Sequence, residues 1–517
     1  MQLPRDLAQM NAQELRDLAS ALIAQVTQKD QELNVKQLKI DQLTYEMATL
    51  RRWRFARRSE QLDSTQQSLL DESIDEDLEA IGVELEALRS AQKPVKPKQQ
   101  PRRVALPLQL PRVQVHHEPE RTVCGCGCQL ERIGEDVSEK LDYTPGVFHV
   151  ERHVRGKWVC RKCETLLQAP VPPQVIDKGI PTAGLLAQVL VAKYADHQPL
   201  YRQEGIFERA GLAIPRSTLA QWIGACGVRL QPLAEALKAA LLGRPVLHAD
   251  ETPVPMLKPG LGHTHRAYLW SYGTSEYDEL PAVVYDFAES RSGHHARTFL
   301  GKWSGKLVCD DYSGYKALFD RGVIEIGCMA HARRKFHDLH TNQRSELAAE
   351  ALVLFGALYE VEREAREQRL DAIGRQRLRE QRARPAADTL RAWLIRQRLR
   401  VPDGSATAKA IEYSLGRWLA LTRYLDDGDL PIDNNWVENR IRPVALGRTN
   451  WLFAGSLRAG QRAAVIMSLI QSAKLNGHDP YRYLKDVFER LPTQPAGRIE
   501  ELLPHCWQPT LPRRQAA

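Results

Sequence analysis

Five of the nine cysteines in this 517-residue chain crowd into one short stretch. The segment CGCGC contributes Cys124, Cys126 and Cys128, and the segment CRKC contributes Cys160 and Cys163. Two cysteine groups joined by strand-like sequence are what a tetrahedral zinc ribbon requires, because each group supplies two thiolates and the ion replaces the core that so short a unit cannot build. The odd total and the clustering also favour metal ligation in a reducing compartment over a disulfide framework.

The ligand set of this ribbon, predicted over residues 121–175, is open at the first cysteine group. CRKC has the usual C-x2-C spacing, whereas no two cysteines of CGCGC have it. Cys124 with Cys128 lies within the range found in zinc sites, and Cys126 is the alternate. The competing interpretation is a set of buried, reduced thiols. The predicted ligands of a structural Zn²⁺ are Cys124, Cys128, Cys160 and Cys163.

The N-terminal segment, residues 1–58, carries a heptad pattern that ends in a basic stretch. Apolar residues recur in two rows, from Ala12 to Met47 and from Leu15 to Leu50, and two lysines interrupt the second row. This spacing is typical of a coiled coil and predicts self-association. The alternative is one long helix packed against its own chain. The basic stretch LRRWRFARR either contacts phosphates or forms a solvated, self-neutralised face.

Two further segments separate the heptads from the cysteines. Residues 59–92 are acidic with an apolar helical stripe, which predicts an acidic helix. Residues 93–120 contain six prolines among lysines and arginines. This is too many for a helix or a central strand, so we predict a semi-rigid linker.

Residues 180–228 are predicted to be helical and to contain a helix-turn-helix. LYRQEGIFERAGL followed by IPRSTLAQWI indicates a helix, a turn at Gly211 and a second helix capped by Ser217. Arg216 and Gln221 are the candidates to face a DNA groove. An ordinary helical hairpin is the alternative.

Two apolar, strand-like runs each end in a pair of acids. HADETP places Asp250 and Glu251 after one run, and CDDYSGY places Asp310 and Asp311 after another. If both strands belong to one sheet, the carboxylates lie side by side and form a site for Mg²⁺, which prefers carboxylate oxygens and retained water. Either motif alone is equally typical of a strand-end turn.

A third motif, DNNWVENRIRPVALGRTNW, combines one acid with several arginines. Glu438 lies in the first turns of a predicted helix, and Arg440, Arg442 and Arg448 follow it. Such a helix completes a carboxylate triad while its arginines hold a polyanion. The alternative is a capped, exposed helix, because acids near helix starts are also favoured by the helix dipole.

Many ordered motifs together resemble the transposases of the insertion-sequence family sixty-six over nearly the whole chain. The resemblance rests on IGEDVSEKLDYTPG, CRKCE, GLLAQVLVAKYADHQPLYRQE, RSTLAQW, HADETPV, YDFAESRSG, CDDYSGY, CMAHARRKF, DNNWVENRIRPVALGRTNWLFAGS and DPYRYLKDVFERLPTQP. The sequence departs from the family at the first cysteine group, which is usually C-x2-C and here is CGCGC.

The resemblance implies a DDE transposase in a multidomain α+β chain. The implied ribonuclease H-like catalytic domain covers residues 229–475, with a helical insertion at about 340–430, and a helical tail covers 476–517. The family motifs assign the catalytic, metal-binding acids and, in CMAHARRKF, a secondary candidate, His331. Cys328 has C-x2-H spacing to it, for which a structural role is the preferred interpretation. The implied triad is Asp250, Asp310 and Glu438.

The implied reaction uses no covalent enzyme intermediate. With two Mg²⁺ ions, or Mn²⁺ in their place, the enzyme hydrolyses a phosphodiester at the element end, and the freed 3′-hydroxyl attacks target DNA. The implied partners are the terminal repeats, target DNA, a second copy of the chain in a dimer or larger synaptic complex, and two small accessory proteins encoded beside it. The rival interpretations are a non-catalytic DNA-binding regulator and another ribonuclease H-like nuclease such as a resolvase.

Composition limits the setting without identifying the function. The chain has 72 Lys and Arg against 64 Asp and Glu, a formal charge of +8, and 43% hydrophobic residues, as in globular proteins. No apolar run is long enough for a membrane span, and the first residues lack an export signal. We therefore expect a cytoplasmic bacterial protein, associated with the nucleoid when bound to DNA.

Overall fold

The computed structural model begins with two long helices, α1 (Ala12–Phe55) and α2 (Ser64–Arg89). Parts of several predicted segments lie outside the described residues, among them the first residues of the heptad segment, the end of the basic stretch, both ends of the acidic segment, most of the proline-rich segment and the end of the tail. The structure describes residues 12–55, 64–89, 106–108, 110–119, 121–144, 146–176, 179–258 and 263–509.

The heptad stripe of α1 has two different environments. Its second part packs against the apolar stripe of α2, so there the helix contacts its own chain. Its first part is exposed, with 37% of Leu22, 57% of Val26 and 53% of Leu33 accessible to solvent. Self-association through that exposed part stays a prediction. The small core between the two helices consists of Leu43, Leu50, Ile74, Ile81 and Leu85.

The cysteine-rich region forms a sheet around one long hairpin. β2 (Glu131–Thr144) and β3 (Val147–Val159) pair antiparallel along their whole length, and the short β4 (Leu166–Gln168) pairs with the end of β3. The open end of the hairpin brings the two cysteine groups together. Its other end packs on the helices that follow through the buried side chains of Leu141 and Val150.

The semi-rigid linker predicted for residues 93–120 contains a strand at residues 112–117. They form β1 (Arg112–His117), which pairs in parallel with β3 at the edge of the sheet. Pro111 and Pro119 lie just outside this strand, and the residues between them have every N–H that a sheet needs. An edge strand tolerates flanking prolines that a central strand excludes.

Three helices follow: α3 (Ala183–Tyr194), α4 (Leu200–Arg209) and α5 (Arg216–Leu242). Gly211 adopts φ of +86° in the turn between α4 and α5, a conformation that glycine reaches without strain. The predicted domain boundary at 228/229 is wrong, because α5 continues through it to Leu242. The predicted cap is also wrong: α5 begins at Arg216, so Ser217 lies inside the helix and Pro215 takes the N-cap position.

A second sheet forms the centre of the molecule. Its five strands are β5 (Val246–Met256), β6 (His265–Thr274), β7 (Val283–Ala288), β8 (Lys306–Cys309) and β9 (Ile324–Gly327). Their order in the sheet is β7-β6-β5-β8-β9. β6 runs antiparallel to both of its neighbours, and β8 and β9 run parallel to β5. α6 (Gly293–Leu300) and α7 (Lys316–Phe319) connect the later strands.

A helical region lies between β9 and the remaining helices. It has its own core, which includes Phe336, Phe355 and Trp393 and meets the sheet at Val308 and Ile326. It begins directly after β9, earlier than the predicted start at about residue 340. Its helices are α8 (Met329–Gln343), α9 (Glu346–Glu367), α10 (Ala372–Leu378), α11 (Arg384–Arg398), α12 (Ala406–Gly416) and α13 (Trp418–Thr422).

The chain ends in α14 (Asn435–Trp451), α15 (Leu457–Leu475) and α16 (Pro480–Arg490). α15 packs on β7 and α5, and α16 packs on α3. The last turns then return to the core, where Trp507 is buried. No helix among the described residues combines the length and the apolar character that a membrane span needs.

The acids of α2 are buried in ion pairs with this body. Glu76 accepts from Lys193 at 2.6 Å and from Arg462 at 2.5 Å, and Asp77 accepts from Arg462 at 3.0 Å. Gly227 of α5 makes room for the arginine, because a Cβ there would lie 2.5 Å from the Arg462 side chain. We call Glu76, Asp77, Lys193 and Arg462 the buried ion network.

Candidate active site

Strand register brings two of the predicted acids to equivalent positions. β5 and β8 pair in parallel, with His248 opposite Val308. Asp250 follows that pair by two residues on β5, and Asp310 follows it by two residues as the first residue past β8. The two carboxylates are close enough for the charge of Asp310 to raise the pKa of Asp250.

Glu438 reaches the same place from α14. The helix packs across β5, and Glu438 lies in its first turn. Asn434, at the N-cap position and only 1% exposed, ties the helix start to the strand: its side-chain amide donates to the Ala249 carbonyl at 2.9 Å, and its Oδ1 lies 2.8 Å from Nδ1 of His248. We call Asp250, Asp310 and Glu438 the acid cluster.

The charges in the acid cluster act on one another. The pKa of Asp250 is raised well above its ordinary value, first by burial and then by the negative charges of Glu251, Glu438 and Asp310. Oδ1 of Asp310 accepts a hydrogen bond from the Tyr312 N–H at 2.9 Å. Like charges held together in this way favour either a proton or a cation.

Glu438 has the surroundings of a metal ligand with an open oxygen. Its Oε1 is buried and lacks a hydrogen-bond partner among the described residues, and it lies 3.6 Å from Nδ1 of His331. Its Oε2 lies 3.5 Å from the Arg334 guanidinium. Carboxylates that keep unsatisfied oxygens are the donors that Mg²⁺ prefers, so the residues present fit such an ion.

Glu251, next to Asp250 in the chain, has different partners. Its carboxylate accepts from Arg291 at 2.5 Å and from the Tyr315 hydroxyl at 2.8 Å. Asp311, next to Asp310, is exposed and lies 3.6 Å from Arg417. Asp250 and Asp310 therefore each have an acidic neighbour that lies beside an arginine.

The three arginines predicted to hold a polyanion differ in their contacts. Arg442 is exposed. Arg440 stacks its guanidinium 4.2 Å from the Trp436 ring centre, and burial lowers its pKa. Arg448 donates to the Pro253 carbonyl and so braces α14 on β5. Of these three arginines, only Arg442 is exposed to solvent.

The predicted groove-facing residues lie at the start of α5. Gln221 is exposed. Arg216 is partly engaged, because its backbone N–H donates to Glu204 at 3.0 Å and its guanidinium lies 3.5 Å from the same carboxylate. The opposite side of this helix is buried, with Trp222 and Ile223 in the core.

Four cysteine sulfurs form a cluster with tetrahedral spacing. Cys124 lies 3.4 Å from Cys160 and 3.7 Å from Cys163, and Cys126 lies 3.8 Å and 3.7 Å from the same two sulfurs. Zn–S bonds of about 2.3 Å in a tetrahedron require sulfur separations of about 3.8 Å. The backbone N–H of Cys163 lowers the pKa of the Cys160 thiol to about 6, which favours the thiolate that binds zinc.

The cluster contains Cys126, the predicted alternate, and not Cys128. A tight turn explains this. The Gly127 N–H donates to the Cys124 carbonyl at 2.9 Å, with Gly127 at φ of +80°. Cys128 follows the turn and pairs back through its carbonyl with the Cys124 N–H at 2.9 Å, so Cys126 at the tip joins the second cysteine pair.

Several residues of the site were missed in the sequence. Asn434 lies within the motif DNNWVENRIRPVALGRTNW without a predicted role in the site, and His248 was not singled out, although it precedes the first acid by two residues in HADETP. Burial lowers the pKa of His248 to about 4, so it is a neutral partner for Asn434. His331, the secondary candidate, lies beside Glu438 together with Cys328.

Comparison with known families covers most of the chain. The model described as "Transposase IS66 family" matches residues 178–462, and "IS66 C-terminal element" matches 468–505. "Zinc-finger binding domain of transposase IS66" matches 121–164, and "Transposase C of IS166 homeodomain" matches 42–115. The first match spans more than half of the sequence. This chain belongs to the IS66 family of transposases.

Similar full-length proteins occur in Sinorhizobium fredii (strain NBRC 101917 / NGR234). Uncharacterized protein y4jD is 40% identical over 419 residues, which cover 78% of this chain and 81% of that protein. Uncharacterized protein y4qI is 37% identical and covers 95% and 93% of the two chains. Uncharacterized protein y4hP is 32% identical over 91% and 88%.

Family membership supports DNA as the partner of this protein. The zinc-finger match and the cysteine cluster together support a structural Zn²⁺ ion.

Proposed function

We propose that this chain is a DDE transposase that cuts DNA at the ends of its element and joins those ends to target DNA. The observation that carries the proposal is the convergence of Asp250 on β5, Asp310 just past β8 and Glu438 on α14, with the last two raising the pKa of the first. Three acids of which, among the described residues, only Glu438 has an arginine beside it are suited to divalent cations.

The order of the central sheet supports a ribonuclease H-like catalytic domain. Three antiparallel strands followed by two parallel ones place the acids on the central strand β5, just past β8, and on α14 beside them. In this interpretation α8 to α13 are an insertion before the third acid, since they have a separate core.

The residues of the site have distinct tasks in this proposal. When bound, Mg²⁺ supplies Lewis-acid stabilisation of the scissile phosphate and a water of lowered pKa. Asp250, Asp310 and Glu438 hold the ions, and Asn434 fixes the position of the helix that carries the third acid. Arg442 contacts backbone phosphates from the exposed side of α14, and Arg216 and Gln221 contact DNA near the start of α5.

The reaction then has two steps in one pocket. In hydrolysis the oxygen of water forms a bond to phosphorus while the bond from phosphorus to the 3′ oxygen breaks, and that oxygen takes up a proton. In strand transfer the new 3′-hydroxyl oxygen gives up its proton and bonds to a target phosphorus, whose own 3′ oxygen leaves. Each step breaks one P–O bond and forms one, so no covalent enzyme intermediate is required.

An assay of end joining tests this function. Purified protein, Mg²⁺ and labelled duplexes carrying the element ends are mixed with an unrelated plasmid. The proposal expects label to become covalently joined to the plasmid. Cutting without joining would instead indicate a nuclease such as a resolvase, and binding without cutting would indicate a regulator.

A further inference from the structure

A second group of metal-binding side chains lies away from the acid cluster and from the cysteines, on the zinc-ribbon hairpin. Asp142 of β2 pairs directly with His149 of β3, and Glu151 follows two residues further along β3. Residues two apart on a strand share a face, so register places all three on one side of the hairpin. Their ligand atoms lie within 4.8 Å of one another.

The distances suit a small divalent transition-metal ion. Nε2 of His149 lies 3.0 Å from Oδ2 of Asp142. Bonds of about 2.0–2.2 Å to nitrogen and oxygen in a tetrahedron separate ligand atoms by about 3.4 Å, so modest side-chain rotations suffice. One imidazole with two carboxylates suits zinc or a similar first-row metal.

Two of the three ligands are oriented by outer partners, as in metal sites of known proteins. The Thr182 hydroxyl donates to Oδ1 of Asp142. His153 lies 3.2 Å from Oε2 of Glu151, and its other ring nitrogen lies 2.9 Å from His117.

The backbone leaves space for the Asp142 carboxylate and for an entering ion. A Cβ at Gly184 would lie 2.5 Å from Oδ1 of Asp142, so only glycine fits there without a shift. A cavity of about 250 Å³ adjoins the cluster and is bordered by Lys485 and Glu489 of α16.

We propose that Asp142, His149 and Glu151 bind a divalent transition-metal ion of the Zn²⁺ class, with water completing its coordination. The ion cross-links the two strands of the zinc-ribbon hairpin beside its contact with the helical body. Asp142 links the hairpin to that body, because its partner Thr182 also caps α3 by accepting the Leu185 N–H at 3.2 Å. The site is independent of the proposed catalysis.

Zinc stoichiometry tests the site. Full-length, tag-free protein carrying Asp250→Asn, which weakens zinc binding at the acid cluster, is stripped, reloaded with ZnCl₂, desalted and measured by plasma mass spectrometry. The expected result is two zinc ions per chain, one at each of the cysteine and hairpin clusters. One ion per chain would overturn the proposal.

Matched variants assign the second ion. His149→Gln removes a ligand whose partner here is Asp142, and His116→Gln removes an exposed histidine of the same sheet. Loss of one zinc in the first variant only is expected; equal zinc content in the two variants would contradict the proposal. With Co²⁺ as the probe, the thiolate charge-transfer band reports an intact cysteine site, and Glu151→Gln repeats the test if His149→Gln loses that band.

Discussion

Two groups of buried acids in this protein have opposite surroundings. In the buried ion network, burial alone would raise the pKa of Glu76, but the charges of Lys193 and Arg462 lower it below its ordinary value. In the acid cluster, burial raises the pKa of Asp250 and the neighbouring carboxylates raise it further. In the buried ion network the acids are paired with basic side chains of the same chain. In the acid cluster the charges that surround Asp250 are negative, which favours a cation that the chain does not supply.

The difference separates a structural role from a functional one. The ion pairs join α2 to the body of the protein. They lower the pKa of Glu76, whereas burial raises the pKa of Asp77 despite the charge of Arg462. Acids that repel one another oppose folding in the absence of a cation, a cost that proteins accept at sites which bind metal or substrate. Substitutions in the two groups should therefore change activity and stability in opposite directions.

Asp250→Asn should give the largest effect. Loss of a metal ligand removes several kcal/mol of transition-state stabilisation, so we expect cleavage of element-end DNA to fall by about 10³-fold or more. Without Mg²⁺ the same variant should be at least as stable as the wild type, because a repelled charge is removed. Cleavage assays measure the activity, and urea unfolding measures the stability. An Asp250→Asn protein that is both active and less stable than the wild type would contradict the proposed difference between the two groups of acids.

Arg462→Met should produce the reverse pattern in the buried ion network. The change leaves Glu76 and Asp77 buried with one cation fewer, which costs about 3–5 kcal/mol in the free energy of unfolding. Arg458→Met is the matched control one turn earlier on α15, where the partners Glu46 and Glu84 are partly exposed and the loss should be about 1 kcal/mol. Equal losses in the two variants would mean that burial of the ion network adds little to the free energy of unfolding.

Asn434→Ala should weaken the site without touching its ligands. The amide joins the start of α14 to β5, so its loss lets Glu438 move. We expect a decrease of about 10- to 100-fold in activity together with a higher Mg²⁺ concentration for half-maximal cleavage. Asn435→Ala, an exposed neighbour on the same helix, is the control; the same Mg²⁺ requirement in both variants would exclude a positioning role.

The stability difference between Asp250→Asn and the wild type should depend on pH. The folded-state pKa of Asp250 is raised, so its favourable contribution is complete below its unfolded pKa of about 4 and is lost as pH rises through the folded value. In Mg²⁺-free buffer the advantage of the variant should therefore be largest at high pH and shrink as pH falls. Urea unfolding at a series of pH values checks this, and a gap that widens on acidification would contradict it.

Arg442→Ala should have the smallest effect. A phosphate contact by this exposed arginine predicts weaker DNA binding and a decrease of about one in the slope of log K against log salt. Arg448→Ala should leave the slope unchanged, because that guanidinium donates to the Pro253 carbonyl. Titrations at several salt concentrations separate the two, and equal slopes in Arg442→Ala and the wild type would remove Arg442 from the DNA surface.

The sequence revealed those features that depend on local patterns. The two strand-like runs predicted a pair of acids after each run, and the resemblance to the IS66 transposases singled out Asp250 and Asp310 within those pairs. The cysteine spacing predicted a cluster, but not that Cys126 joins it, because the turn at Gly127 decides which side chains converge. The exposed edge strand β1 was missed because the count of prolines concealed the proline-free residues between two of them.

Long-range contacts were beyond sequence reasoning. No pattern in α2 indicates that Glu76 meets Arg462, which lies 386 residues away in the chain. The role of Asn434 depends on His248 and Ala249, which only the packing of α14 on β5 brings near. The extent of α5 was misjudged because its apolar faces meet both the helix-turn-helix region and the central sheet.

The proposed active site contains Asp310 and excludes its neighbour Asp311. The most direct measurement is Mg²⁺-dependent cleavage of labelled element-end DNA by Asp310→Asn and Asp311→Asn, two adjacent and isosteric changes. We expect Asp310→Asn to lose cleavage while it retains DNA binding, and we expect Asp311→Asn to cleave at nearly the wild-type rate. Cleavage that survives in Asp310→Asn, or that is lost equally in both, would contradict this assignment.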